Sequence, residues 1–128
     1  MSREELPSRR SSWIQKVRIG GQTFYLDVGQ YPDGRPGEIF LDASKYGSFT
    51  RGICYAFARM TSLALQEGVP LEKIIRMLNS LNFPPNGQVI GSPNCSEATS
   101  VANWIGTELG VVYLSGVQPI QRPLMIGS

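Results

Sequence analysis

At 128 residues, with 41% hydrophobic and 17% charged residues, the chain has the size and balance of one folded domain, which excludes a disordered chain and leaves no room for two full-sized cores. A net charge of +2 and a pI near 8.7 admit an anionic partner but not the clustered basic surface of a dedicated duplex-DNA binder, so nucleic acid is disfavoured. Histidine is absent, which removes the usual general base and any Ser-His-Asp or Cys-His arrangement; the chain is read as not an enzyme.

Residues 1–12 mix Ser, Arg, Glu and Pro without a period and read as an arm that is ordered only if something packs on it. From Trp13 the pattern alternates: Val17 and Ile19, a Gly20-Gly21 turn, then Phe24, Leu26 and Val28 on the buried face of a β-hairpin. A turn at Asp33-Gly34 leads into a third strand, Glu38 to Ala43, with Ile39 and Leu41 on one side. Helical spacing follows. Ile53, Phe57, Met60 and Ala64 are expected to face the core, leaving Arg51, Tyr55, Arg59, Ser62 and Gln66 as a polar face and Gly68 as a left-handed C-cap.

Pro70 opens a second helix with the apolar stripe Leu71, Ile74, Ile75, Leu78 and Leu81; Lys73, Arg76 and Asn79 are expected to face water. Two prolines make residues 82–87 a loop. After a short segment at Gln88 to Ile90, Ser96 is expected to cap a third helix through Leu109, and Val111 to Leu114 to form a final strand. The fold class is α+β: an N-terminal antiparallel sheet of three or more strands followed by two to three packed helices. The expected divisions are an arm (1–12), one domain (13–114) and a tail without a period (115–128).

Cys54 and Cys95 form no CxxC pair, and two cysteines without histidine supply no zinc spacing; reduced thiols are expected, and no metal or cofactor. No apolar run approaches the ~20 residues needed to cross a bilayer, and the N-terminal segment has no signal-peptide core. No membrane partner is expected and the location is read as cytoplasmic, in a bacterial host if the chain is phage-encoded.

The order of motifs resembles the TSCPD domain, a module at the C-terminal end of some ribonucleotide reductases. GGQTFYLDVG is followed by DGRPGEIFLDASKYGS, SLALQEGVPLEKIIRML, FPPNG, and a helix opening at Thr99-Ser100-Val101-Ala102-Asn103, so the resemblance covers about residues 14 to 109. Where the family's name-motif reads Thr-Ser-Cys-Pro-Asp, this chain has Val101, Ala102 and Asn103 at its last three positions. The cysteine-based metal binding proposed for some family members therefore does not carry over, and the reductase's catalytic cysteines are absent as well. In size and architecture the chain is also similar to phage anti-Thoeris proteins, which capture cyclic ADP-ribose signals in pockets where subunits meet. That resemblance implies ligand roles for Arg59, Phe83 and Asn94.

The residues add their own weight to those positions. Phe83 either staples a loop to the core or offers a stacking face to a base. Arg51 and Arg59 on a polar helix face are either solvated or paired with phosphate. Ser92 and Asn94 belong to a turn, while Ser96, Thr99 and Ser100 stand where free donors at a helix N-terminus could receive an anion. Arg122, in the tail, could reach a neighbouring subunit. The expected function is a non-catalytic protein that sequesters a small nucleotide-like ligand, cyclic ADP-ribose-like or a cyclic oligonucleotide, within a homo-oligomer and so blocks anti-phage defence. An accessory module of ribonucleotide reductase is the alternative. A single-stranded nucleic-acid track along Arg9, Arg10, Lys16 and Arg18 is the third reading.

Overall fold

Alternation along the first part of the chain becomes three strands, β1 (Ser12–Ile19), β2 (Gln22–Gln30) and β3 (Pro36–Ala43), in a computed structural model that describes residues 3–45 and 47–114. They are followed by α1 (Ser48–Gln66), α2 (Leu71–Asn79), β4 (Gly87–Ile90), β5 (Glu97–Ala98) and α3 (Val101–Tyr113). The strands form one antiparallel sheet in the order β3-β2-β1-β4-β5. The architecture is therefore α+β with the sheet built first. Cross-strand registers Val17↔Phe24, Leu26↔Leu41 and Val28↔Ile39 stack the alternating apolar residues on one face. All of these residues are buried, beneath Trp104, Ile105 and Leu109 of α3.

Helix α2 presents Ile74, Ile75 and Leu78 to this core, as its stripe predicts. It approaches α3 closely because position 106 is glycine: a Cβ there would lie 2.5 Å from Asn79 Oδ1 and 3.2 Å from the Leu78 Cβ. Gly68, at φ 91°, takes the left-handed conformation expected after α1.

Three local expectations are corrected. The segment Val111 to Leu114 is not a strand; Val111–Tyr113 continue α3, and Leu114 is its C-cap. The apolar-rich run after Gly106 permits either reading, and the backbone ladder of a helix already under way extends it. Ser96 does not cap α3. The cap is Ser100, whose Oγ accepts from the Asn103 N–H at 2.9 Å, while Glu97–Ala98 before it pair with β4.

The third correction concerns which side of α1 faces inward. Phe57 and Ala64 pack half-buried against the core as expected, but Ile53 and Met60 are 54% and 69% exposed, and the buried positions are Cys54, Ala58, Thr61 and Gln66. The polar stripe lies against the outer edge of β3, an edge strand whose unpaired backbone groups need partners. The Ile39 N–H donates to Ser62 Oγ at 2.8 Å, the Ser62 hydroxyl donates back to the Ile39 carbonyl at 3.1 Å, and Gln66 Nε2 donates to the Gly37 carbonyl at 2.9 Å.

Gln66 also anchors the N-terminal arm: its carbonyl accepts from the Glu4 N–H, and its side-chain oxygen from Arg3 Nε. Tyr31 donates to the Glu4 carbonyl, and Arg10 pairs with Glu38. The condition set for the arm, that something pack on it, is met by β2, β3 and α1.

Ser62→Ala removes the side chain that, among the described residues, bridges both backbone groups of Ile39. The expected loss is about 1–3 kcal/mol of unfolding free energy, the usual penalty for stranding such groups, measurable by denaturant titration.

Candidate functional site

The polar stripe of α1 does more than close the sheet edge. Its N-terminal half overhangs the outer face of β3 and forms a groove of about 790 Å³, whose aromatic walls are Tyr25, Phe40 and Tyr55 and whose polar groups include Asp27, Asp42 and Arg51. A second hollow of about 400 Å³ continues along the helix, sharing Phe40 and Tyr55 and adding Arg59 and Glu38. Two of the sequence-predicted ligand residues, Arg51 and Arg59, therefore line adjacent hollows that share Phe40 and Tyr55.

Their charges are partly engaged already. Arg51 forms a two-pronged pair with Asp42, Nε to Oδ1 at 2.9 Å and Nη2 to Oδ2 at 2.8 Å. This pairing holds the Asp42 carboxyl below its ordinary value and pushes the arginine up. Arg59 donates from Nη1 to the Tyr55 hydroxyl at 3.1 Å, with its guanidinium carbon 5.6 Å from the centre of the Tyr55 ring. Asp27 stands opposite. Burial and the nearby Glu38 raise its carboxyl above the ordinary range, and among the described residues no cation pairs with it.

The remaining predicted residues lie elsewhere in the fold, around α3. Glu108, 2% exposed, accepts from Trp104 Nε1 at 3.0 Å, from Asn94 Nδ2 at 2.8 Å and from the Ser92 hydroxyl. Ser92 and Asn94 thus fasten the turn after β4 to the middle of α3. Thr99 Oγ1 and Ser100 Oγ both donate to the Leu81 carbonyl, at 3.2 and 2.6 Å. Asn103 Oδ1 accepts from the Thr99 N–H, and its amide nitrogen donates to Asn79 Oδ1. The Thr99-Ser100-Asn103 positions of the name-motif therefore tie the end of α2 to the start of α3.

Phe83 is exposed beside this knot, held by its N–H to the Thr99 carbonyl at 3.0 Å. Arg122 lies outside the described residues. The structure thus divides the predicted residues between the α1 cleft (Arg51, Arg59) and the α3 end (Phe83, Ser92, Asn94, Thr99). It also brings forward Tyr25, Asp27, Phe40 and Tyr55. Sequence reasoning passed over the first three because outward positions of a half-buried strand look alike until a helix overhangs some of them. Glu108 was missed because a lone glutamate inside a helix carries no signal of burial.

Both cysteines are free thiols that burial pushes up. No group of three or more His, Cys, Asp or Glu side chains fit to hold a metal occurs among the described residues, nor any helix long and apolar enough to cross a membrane.

Truncating Glu108 to Ala leaves the Trp104 indole N–H buried without its acceptor, and an expected loss of about 3 kcal/mol on unfolding, with a shift in tryptophan emission, checks the anchor. For Asp42, whose lowered value means that it stabilises above the ordinary 3.8, the benefit is lost as pH falls through that lowered value. Asp42→Asn is thus expected to lose a small increment at about pH 7 and none in strong acid, read by paired unfolding curves.

Comparison with known proteins agrees with this fold. The family model for the TSCPD domain matches residues 2–113. The vitamin B12-dependent ribonucleotide reductase of Agrobacterium fabrum is 43% identical over 112 residues, which are 88% of this chain and 9% of that enzyme. The enzyme of the same name from Bradyrhizobium diazoefficiens is 42% identical over 113 residues, again 88% and 9%. That of Streptantibioticus cattleyicolor is 34% identical over 112 residues, 88% of this chain and 18% of the enzyme. No solved structure matches significantly. The chain spans 9% to 18% of the length of the relatives compared, and over nearly its whole length it belongs to the TSCPD domain family.

Proposed function

We propose that the chain is a non-catalytic accessory module that works by binding a vitamin B12-dependent ribonucleotide reductase. The observation that carries this reading is the match itself: enzymes of that name contain, as 9% of their length, a segment similar in sequence to 88% of this chain. The geometry supports a binding role. Ser92, Asn94, Thr99 and Ser100 are engaged in holding α2, α3 and the β4–β5 connection together, and the open cleft beside α1 is walled by aromatic rings.

Sequestration of a cyclic ADP-ribose-like or cyclic oligonucleotide signal is the second reading, favoured by one local feature. Tyr55 and Arg59 set a ring and a guanidinium side by side at the cleft, the pairing a flat base with a phosphate would use. On this reading Phe40 takes the stacking role first considered for Phe83, while Asn94 stays with Glu108. A cytoplasmic location and block of anti-phage defence belong to the same reading.

Affinity purification of the tagged chain from its own cells is expected to recover a B12-dependent reductase catalytic chain, and the reconstituted pair to give a measurable Kd. Calorimetry with cyclic ADP-ribose isomers and cyclic oligonucleotides is expected to give no heat. Heat with any of them, weakened by Arg59→Ala and followed by recovery of intact ligand from the heated complex, would establish the second reading instead.

A further inference from the structure

The outer face of the sheet forms the strand-side wall of the cleft and continues past it to Lys16 and Arg18, and its charges are divided. In register, Ile14, Asp27 and Phe40 form one row, Lys16, Tyr25 and Asp42 the next, and Arg18 stands between Thr23 and Ile90. The β1 side therefore carries the cations Lys16 and Arg18, while on the β2–β3 side Asp42 is paired with Arg51 and Glu38 with Arg10, which leaves Asp27 as the carboxylate facing outward without a cation among the described residues. The centre is apolar: Ile14 is 68% exposed and Phe40 49%, with the Tyr25 ring between Lys16 and Asp42. Such a row of outward apolar residues on an uncovered sheet face marks an interaction surface.

Apart from Asp42, which Arg51 holds, and Glu38, which Arg10 holds, the charges of this face are left without ionic partners among the described residues. Lys16 reaches only the Tyr25 ring, 5.9 Å from its centre. Among the described residues neither Lys16 nor Arg18 pairs with a carboxylate, and Asp27 pairs with no cation. A two-fold contact presents the same patch twice, so the patch must be complementary to itself. A face of one sign repels its copy. A face split into a basic and an acidic half across an apolar centre attracts it, because a half-turn sets each half against the opposite one.

From this we infer that the outer sheet face is the interface between two copies of this chain, with Lys16 and Arg18 of each meeting the Asp27 side of the other across Ile14, Tyr25 and Phe40. Asp27, raised by burial and by Glu38, then gains the counter-charge that no described residue of its own chain provides. The inference does not rest on the reductase reading, but the face includes Tyr25, Asp27 and Phe40 of the cleft, so a dimer covers the surface that a nucleotide-like ligand would use.

Sedimentation of the full chain over a concentration series is expected to show a monomer–dimer equilibrium that weakens with salt. Asp27→Lys alone and Lys16→Glu with Arg18→Glu are each expected to weaken self-association at least about tenfold, while Arg76→Glu on α2 leaves it unchanged. Mixing the two weakened proteins is expected to restore a heterodimer to within a few-fold of the parent. Circular dichroism checks each variant's fold, and Phe40→Ser stands in if a charge reversal fails to fold. A parent that stays monomeric overturns the inference, as does a dimer indifferent to these changes or a mixture that does not recover. A monomeric parent whose reductase binding is abolished by the same substitutions would give the face to that partner instead.

Discussion

The open edge of β3 is the constraint on which the arrangement depends. An edge strand leaves backbone donors and acceptors facing outward, and in a buried setting each unmet group costs about as much as a lost hydrogen bond. This chain meets the need with side chains rather than another strand: Ser62 bridges both groups of Ile39, and Gln66 reaches Gly37. Because those contacts fix α1 antiparallel to β3, Arg51 arrives at Asp42 and Tyr55 at Phe40. The cleft follows from closing the sheet edge.

Gln66 links that closure to the N-terminal arm. Its side chain accepts from Arg3 and its backbone carbonyl from the Glu4 N–H, so one residue joins three segments. The like-charge contact between Asp27 and Glu38 is moderated on one side only, since Arg10 pairs with Glu38. The difference leaves Asp27 as the carboxylate on the outer face that is still available to a cation.

At the other end of the molecule a buried carboxylate has the same organising role. An ion removed from water is tolerated only where donors replace its hydration, and Glu108 receives three, from Trp104, Ser92 and Asn94. The connection from β4 to β5 is held on α3 by this group, and the start of α3 on the end of α2 by Ser100 and Asn103. The Thr99-Ser100-Val101-Ala102-Asn103 stretch, which resembles the family's name-motif, is in this chain a helix cap and a fastening point.

The sequence by itself determined the α+β class, the three-strand meander with Val17, Phe24, Leu26 and Ile39 inside, the inner stripe of α2, and the Gly68 stop. Each of these rests on local periodicity or on a backbone conformation that one residue type favours, so a short window carries the information. The family was legible for a similar reason, through motifs in fixed order along the chain.

Only the tertiary structure decided which stripe of α1 turns inward. Ser62 and Gln66 look like solvent-facing residues until an unpaired strand edge lies beside them, and Met60 looks like core until that edge claims the other side. Tertiary contact likewise divided Arg59 from Asn94, assigned Asn94 to Glu108, and placed Phe40 and Tyr55 in one cleft. Those outcomes depend on pairs distant in sequence, and the demand of buried polar groups for partners selects among them.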